Sequence, residues 1–177
     1  MRAKAIRPGN RPAGAPFSHI GPRGNVRMVH VGGKPISRRQ ATAAGRLICR
    51  PSTLDALRAR ALPKGDALAV AQVAGIQAAK RAADLIPLCH TIAIEQVALD
   101  IAPAASAIEI RCTVAATAKT GVEMEALTGV AVAALALYDM CKSADPTLRI
   151  EEIRLLSKEK RPIASSPLTK RNRPARD

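Results

Sequence analysis

Apolar positions recur at helical spacing from Ala67 to Leu85, with Gln77, Lys80, Arg81 and Asp84 on the wetter face. Asp66 is placed to cap that helix and Pro87 to stop it. A second long helix is expected from Gly121 to about Lys142, with Glu123 and Glu125 in the first turn, where the helix dipole favours acids. Between them the period changes. Ile92–Ile101 and Ala107–Ala118 read as strands joined through Pro103 to Ser106, and Ile108, Ile110 and Val114 alternate with polar partners. Met28–Val31 and Ala41–Cys49 suggest two earlier strands, Pro51–Arg60 a short helix, and Arg149–Leu156 a closing strand.

The central order of strand, helix, strand, strand, helix, strand predicts an α+β fold, a ferredoxin-like antiparallel sheet covered by helices on one face. Five Pro/Gly breaks before Gly21 make residues 1–26 an irregular basic arm. The folded domain is expected over 27–158, and 159–177 form a basic disordered tail. The apolar residues are small aliphatics, with one Phe, one Tyr and no Trp. Such a core buries little area per residue, which favours an oligomer.

Charge changes the picture less than its total suggests. The formal net charge is +14 in 177 residues, but residues 28–156 carry 15 basic against 12 acidic groups. The excess sits in the tails, which can meet polyanions nonspecifically. No aromatic stacking platform backs a nucleic-acid role, so that role is a minor alternative. The four cysteines form no CxxC pair, pointing to reduced thiols in a cytoplasmic protein. No apolar run follows the N-terminal basic residues, and the Ala/Val run at 126–137 is too short to span a membrane.

Four clusters place charge or special backbone beside apolar elements. Lys64, in the turn Pro63-Lys64-Gly65-Asp66 ahead of a helix, suits phosphate, although a solvated turn lysine is the plainer reading. His90, after Asp84-Leu85-Ile86-Pro87-Leu88-Cys89, is on its own more often a structural hydrogen-bonding residue. Glu123 and Glu125 could serve only the helix dipole, or accept from the N–H edge of a purine-like ring. Asp139 and Lys142 share a helix face, as an exposed ion pair or as a carboxylate holding a lysine charged or poised for proton transfer.

Together and in order, these blocks identify a family. Lys64-Gly65-Asp66, Ala74-Gly75-Ile76-Gln77-Ala78-Ala79-Lys80-Arg81, Asp84 through His90, Lys119-Thr120-Gly121-Val122-Glu123-Met124-Glu125-Ala126-Leu127-Thr128 and Tyr138 through Lys142 closely resemble cyclic pyranopterin monophosphate synthases, from about His19 to Lys158. The resemblance implies a lyase of molybdenum cofactor biosynthesis. Its substrate would be a cyclised dihydroguanosine triphosphate, rearranged to the cyclic phosphate with release of pyrophosphate. It also implies a homohexamer, a trimer of dimers with sites at subunit interfaces. Asp139, Lys142 and Lys64 match the catalytic set. Arg39, His90 and Lys158 match the phosphate side, and Leu88-Cys89-His90 with Met124-Glu125 match the substrate-contact segments. No metal-ligand cluster is visible, so no cofactor is expected; magnesium accompanying the triphosphate is left open.

Helix length adds a constraint. Lys64 and His90 bracket a predicted helix of about 19 residues, so they should stand about 30 Å apart. Each site is therefore expected to be composite, assembled across a subunit interface, and mixing Lys64→Ala with Asp139→Ala chains is expected to restore some activity. Three departures from the family stand against full activity. His30 replaces an Asp and Gly32 a Ser, and Thr91 replaces a Pro. The glycine-rich, lysine-containing end is replaced by Lys158-Glu159-Lys160-Arg161-Pro162. Lys160 or Arg161 substitutes in charge but not in backbone geometry, so triphosphate binding is expected to weaken. The alternative function is a catalytically silent paralogue that keeps the oligomer as a scaffold.

Overall fold

The alternating Ser37–Ile48 segment forms β1, which buries Ala41, Ala43 and Leu47 on one face and leaves Arg38 and Gln40 exposed on the other. The computed structural model describes residues 19–20 and 24–163. After β1 come α1 (Pro51–Arg58), α2 (Ala67–Lys80), α3 (Ala82–Leu85), β2 (Gln96–Pro103), β3 (Ala107–Ala118), α4 (Glu123–Cys141) and β4 (Arg149–Pro162). The sheet order is β2-β3-β1-β4, and every neighbouring pair is antiparallel. With α2 and α4 packed on it, this is the expected α+β, ferredoxin-like arrangement.

The helices lie on one sheet face. Ile108, Ile110, Cys112 and Val114 of β3 are buried beneath them with Val130, Ala133, Ala134 and Leu137 of α4. α2 and α4 approach closely because glycines face each other. A Cβ on Gly75 would stand 2.8 Å from the Gly129 carbonyl oxygen, and one on Gly129 would stand 2.8 Å from Cys112 Sγ. By length and composition α4 could cross a membrane, but half of its apolar stretch is buried inside the domain. The Ala/Val run at 126–137 is thus part of a 19-residue core helix.

Several expected boundaries move. Met28–Val31 is not a strand; it runs as irregular chain. The helix expected through Leu85 breaks at Arg81, whose backbone N–H turns back to the Ala78 and Ala79 carbonyls. β2 begins at Gln96, four residues after its expected start, and the Thr117 N–H of β3 donates to the Glu95 side chain at 3.1 Å. At the other end β4 continues past the expected limit of 158 to Pro162, which is paired with Ser37. Residues 159–162 therefore belong to the sheet. The rest of the expected tail, from 164, lies outside the described residues, as does most of the N-terminal arm.

Candidate active site

Two charged clusters occupy opposite ends of α4. At its C-terminal end, the Pro63-Lys64-Gly65-Asp66 turn presents Lys64. Gly65 takes φ +92°, a conformation that favours glycine, and Asp66 caps α2 by accepting from the Ala69 N–H at 3.1 Å. Lys64 Nζ donates to Asp139 Oδ2 and to the Asp139 carbonyl oxygen, each at 2.8 Å. Lys142 Nζ meets Asp139 Oδ1 at 2.8 Å from one helical turn away. One carboxylate thus holds two ammonium groups that are far apart in sequence. Hydrogen bonds from Lys142 and then Lys64 bring the Asp139 carboxyl down to about 2, and Asp139 in turn raises Lys142. At neutral pH the trio is one anion and two cations, and Lys142 is held charged. The cations also suit the negative end of the helix dipole.

At the N-terminal end of α4, a cavity of about 600 Å³ is lined by Leu88, Cys89, His90, Glu123, Met124 and Lys158, among others. Pockets of this size hold ligands the size of a nucleotide. His90 Nε2 lies 2.7 Å from the Val29 carbonyl oxygen, an acceptor only, so that nitrogen carries the proton and donates. The irregular segment containing Val29 is thereby fastened over the cavity. Lys158 Nζ pairs with Glu123 Oε1 at 3.1 Å. A smaller cavity of about 300 Å³ shares Gly121, Glu123 and Lys158 with the larger one and adds Arg39 and Lys160.

Glu125 does not sit on this wall. It is 3% exposed, lies behind Cys89, and receives the Cys89 thiol at 3.7 Å on Oε1, while Oε2 has no partner among the described residues. Burial first, and then Glu125, pushes the Cys89 thiol up to about 11. Burial likewise raises Glu125. Cys89 is therefore a neutral thiol at physiological pH, which makes it a wall and a donor and a poor nucleophile.

The structure thus brings Lys64, Asp139 and Lys142 together, and brings Leu88, Cys89, His90, Glu123, Met124, Arg39 and Lys158 together elsewhere. The two groups are not joined in one chain. Glu125 and Asp139 are 14 residues apart on α4, or about 21 Å along its axis. Residue-by-residue reading of the sequence missed Lys34, which lines the larger cavity, and Lys119, whose Nζ donates to the Gly32 carbonyl at 2.6 Å. Lys119 opens the Lys119–Thr128 segment, but nothing local indicates that it tethers residue 32. Among the described residues no group of three or more His, Cys, Asp and Glu is arranged to hold a metal ion.

The domain thus carries cations at both ends of one helix and, at one of those ends, a cavity of a size that takes a small molecule. Residues 28–161 match the MoaC family, and the chain belongs to that family. It is 51% identical over 144 residues to the cyclic pyranopterin monophosphate synthase of Chloroflexus aggregans, covering 80% of this chain and 87% of that protein. It is 52% identical to the synthase of Roseiflexus castenholzii over 80% of this chain and 91% of that one. With the Streptomyces avermitilis synthase the identity is 48%, over 83% of this chain and 86% of the relative.

Proposed function

We propose that this protein is a cyclic pyranopterin monophosphate synthase, a lyase of molybdenum cofactor biosynthesis. It converts the cyclised dihydroguanosine triphosphate to the cyclic phosphate and releases pyrophosphate. The observation that carries this reading is the Lys64–Asp139–Lys142 trio, assembled at 2.8 Å in a chain about half identical to proteins of that name. In that reaction a substrate hydroxyl oxygen forms a bond to the α-phosphorus while the bond to the β-phosphate side breaks. Negative charge then grows on the leaving pyrophosphate. Lys64 and Lys142 supply preorganised positive charge and protons, and Asp139 fixes where they point.

The phosphate chain is received by Arg39, His90 and Lys158, and the ring system by Leu88, Cys89, Met124 and Glu123, with Glu125 acting from behind through the Cys89 thiol. The family resemblance implies a homohexamer, a trimer of dimers, and the separation of about 21 Å between the two clusters along α4 supports sites that join the trio of one chain to the cavity of another. No cofactor is required, and any magnesium arrives with the triphosphate. The cytoplasm, where free cysteines stay reduced, is the compartment this reading assigns.

The test is turnover of the cyclised triphosphate by purified protein, followed by pyrophosphate release. Asp139→Ala is expected to lower kcat by about a hundredfold or more. No release from the folded wild-type oligomer would sink the proposal and leave a non-catalytic member of the family.

A further inference from the structure

Strand alternation sorts the last charges of β4 onto two faces. Lys158 is paired with Ala41 and Lys160 with Arg39, and Ala41 is buried on the helix-covered face. Lys158, Lys160 and Arg39 therefore share that face. Arg161 is paired with Arg38 on the open face, where both border a cavity of about 510 Å³ that also touches Arg39, Gln40 and Glu159 but not Lys160.

We propose that Lys160 extends the phosphate site of Arg39 into a further phosphate-binding subsite, built on a rigid strand pair, at the edge of the cavity that holds Lys158 and Glu123. This deepens the synthase reading and rests on it for the identity of the natural ligand. Three observations carry it. First, the roughly 300 Å³ cavity between Arg39 and Lys160 adjoins the larger one, and the two share Gly121, Glu123 and Lys158 in their walls. A phosphate chain that takes Lys158 from Glu123 would lie within reach of both.

Second, the nearby carboxylates are already engaged. Glu123 is paired with Lys158 at 3.1 Å, and Glu159, which also borders the cavity, is paired with Arg161 at 2.6 Å. Among the described residues neither Arg39 nor Lys160 has a carboxylate within ion-pair distance. Third, Arg39 and Lys160 are cross-strand partners of like charge, a pairing that is unfavourable without an anion between them. Arg39 Nε is buried without a hydrogen-bond partner among the described residues, and Nη2 reaches only the Lys119 carbonyl oxygen, at 3.4 Å. A buried donor left unpaired is costly, and a phosphate oxygen would satisfy it. Lys160 thus offsets in charge what this end of the chain lacks in glycines.

Calorimetric titration of the full chain with inorganic pyrophosphate tests the subsite. Lys160→Ala and Lys160→Gln are expected to weaken binding about tenfold, the scale of one charge-assisted contact. Lys160→Arg should bind like wild type, and so should Arg161→Ala on the opposite face. With the cyclised triphosphate, KM should rise by a similar factor in Lys160→Ala while kcat stays within about twofold. The subsite is overturned if wild type binds no pyrophosphate, if Lys160→Ala and Lys160→Gln bind as tightly as wild type, or if Arg161→Ala loses as much. Lys160-dependent pyrophosphate binding by a protein that turns over no substrate would overturn the synthase reading and keep the subsite. Turnover with an unchanged KM in Lys160→Ala would do the reverse.

Discussion

Asp139 and Asp145 are both held near 2, by different physics. Asp139 is exposed between two lysines, so its charge belongs to a site that solvent and salt can reach. Asp145 is fully buried. Burial alone would raise its carboxyl, but the Arg50 N–H, the Thr147 hydroxyl and N–H and the Thr53 hydroxyl all donate to it and outweigh that cost. It ties the start of α1 to the α4–β4 connection, so Asp145→Asn should cost about 3 kcal/mol, read from urea unfolding at pH 7. Its folded value lies below the unfolded value of 3.8. The stabilisation is therefore complete above about pH 4 and is lost as pH falls toward 2. The wild-type advantage over Asp145→Asn should shrink across that window, and an advantage that stayed constant down to pH 2 would refute the assignment.

At the scale of elements, α4 is the organising piece, and its contact with α2 depends on missing side chains. Alanine is favoured over glycine inside a helix by about 1 kcal/mol, so propensity alone says that Gly75→Ala stabilises. The contact says otherwise, because the added Cβ would meet a backbone carbonyl and Leu99 Cδ2, both at 2.8 Å. The carbonyl cannot move without shifting α4. A net loss of about 1–2 kcal/mol is expected, seen as a lower melting temperature, and a rise would show that the two helices can separate freely. A displaced α4 also moves both charged clusters, so activity should fall with stability.

For the whole molecule, the decisive point is that Lys64 and Asp139 touch within one chain. The mixture expected from sequence to restore activity, Lys64→Ala with Asp139→Ala, pairs two lesions in the same half-site and should recover nothing. The informative mixture is Asp139→Ala with His90→Ala, which damages opposite ends of α4. If each site draws one cluster from each of two chains, random mixing leaves about a quarter of the sites intact. Pyrophosphate release near that fraction of the wild-type rate is the expected result. Verified mixed oligomers with no recovery would show that sites are not shared between chains.

Sequence by itself determined the long elements and the family. Helical and alternating periods last long enough in 67–80, 107–118 and 123–141 that local burial fixes their type. Asp66 announced its cap, because capping depends on residues only three apart. The Asp139–Lys142 pair was legible for the same reason, lying within one turn. What depended on distant partners was not. Met28–Val31 looks like a strand but joins no ladder of the sheet, whereas residues 159–162 look like a tail and pair with β1. The lysine at 64 could not be joined to Asp139, nor Lys119 to Gly32, until the chain had folded back across about 75 and 87 residues. Only that folding decided that Lys160 faces the cavity and Arg161 turns away from it. A strand's period of two gives alternation, and the neighbouring strand decides which face is which.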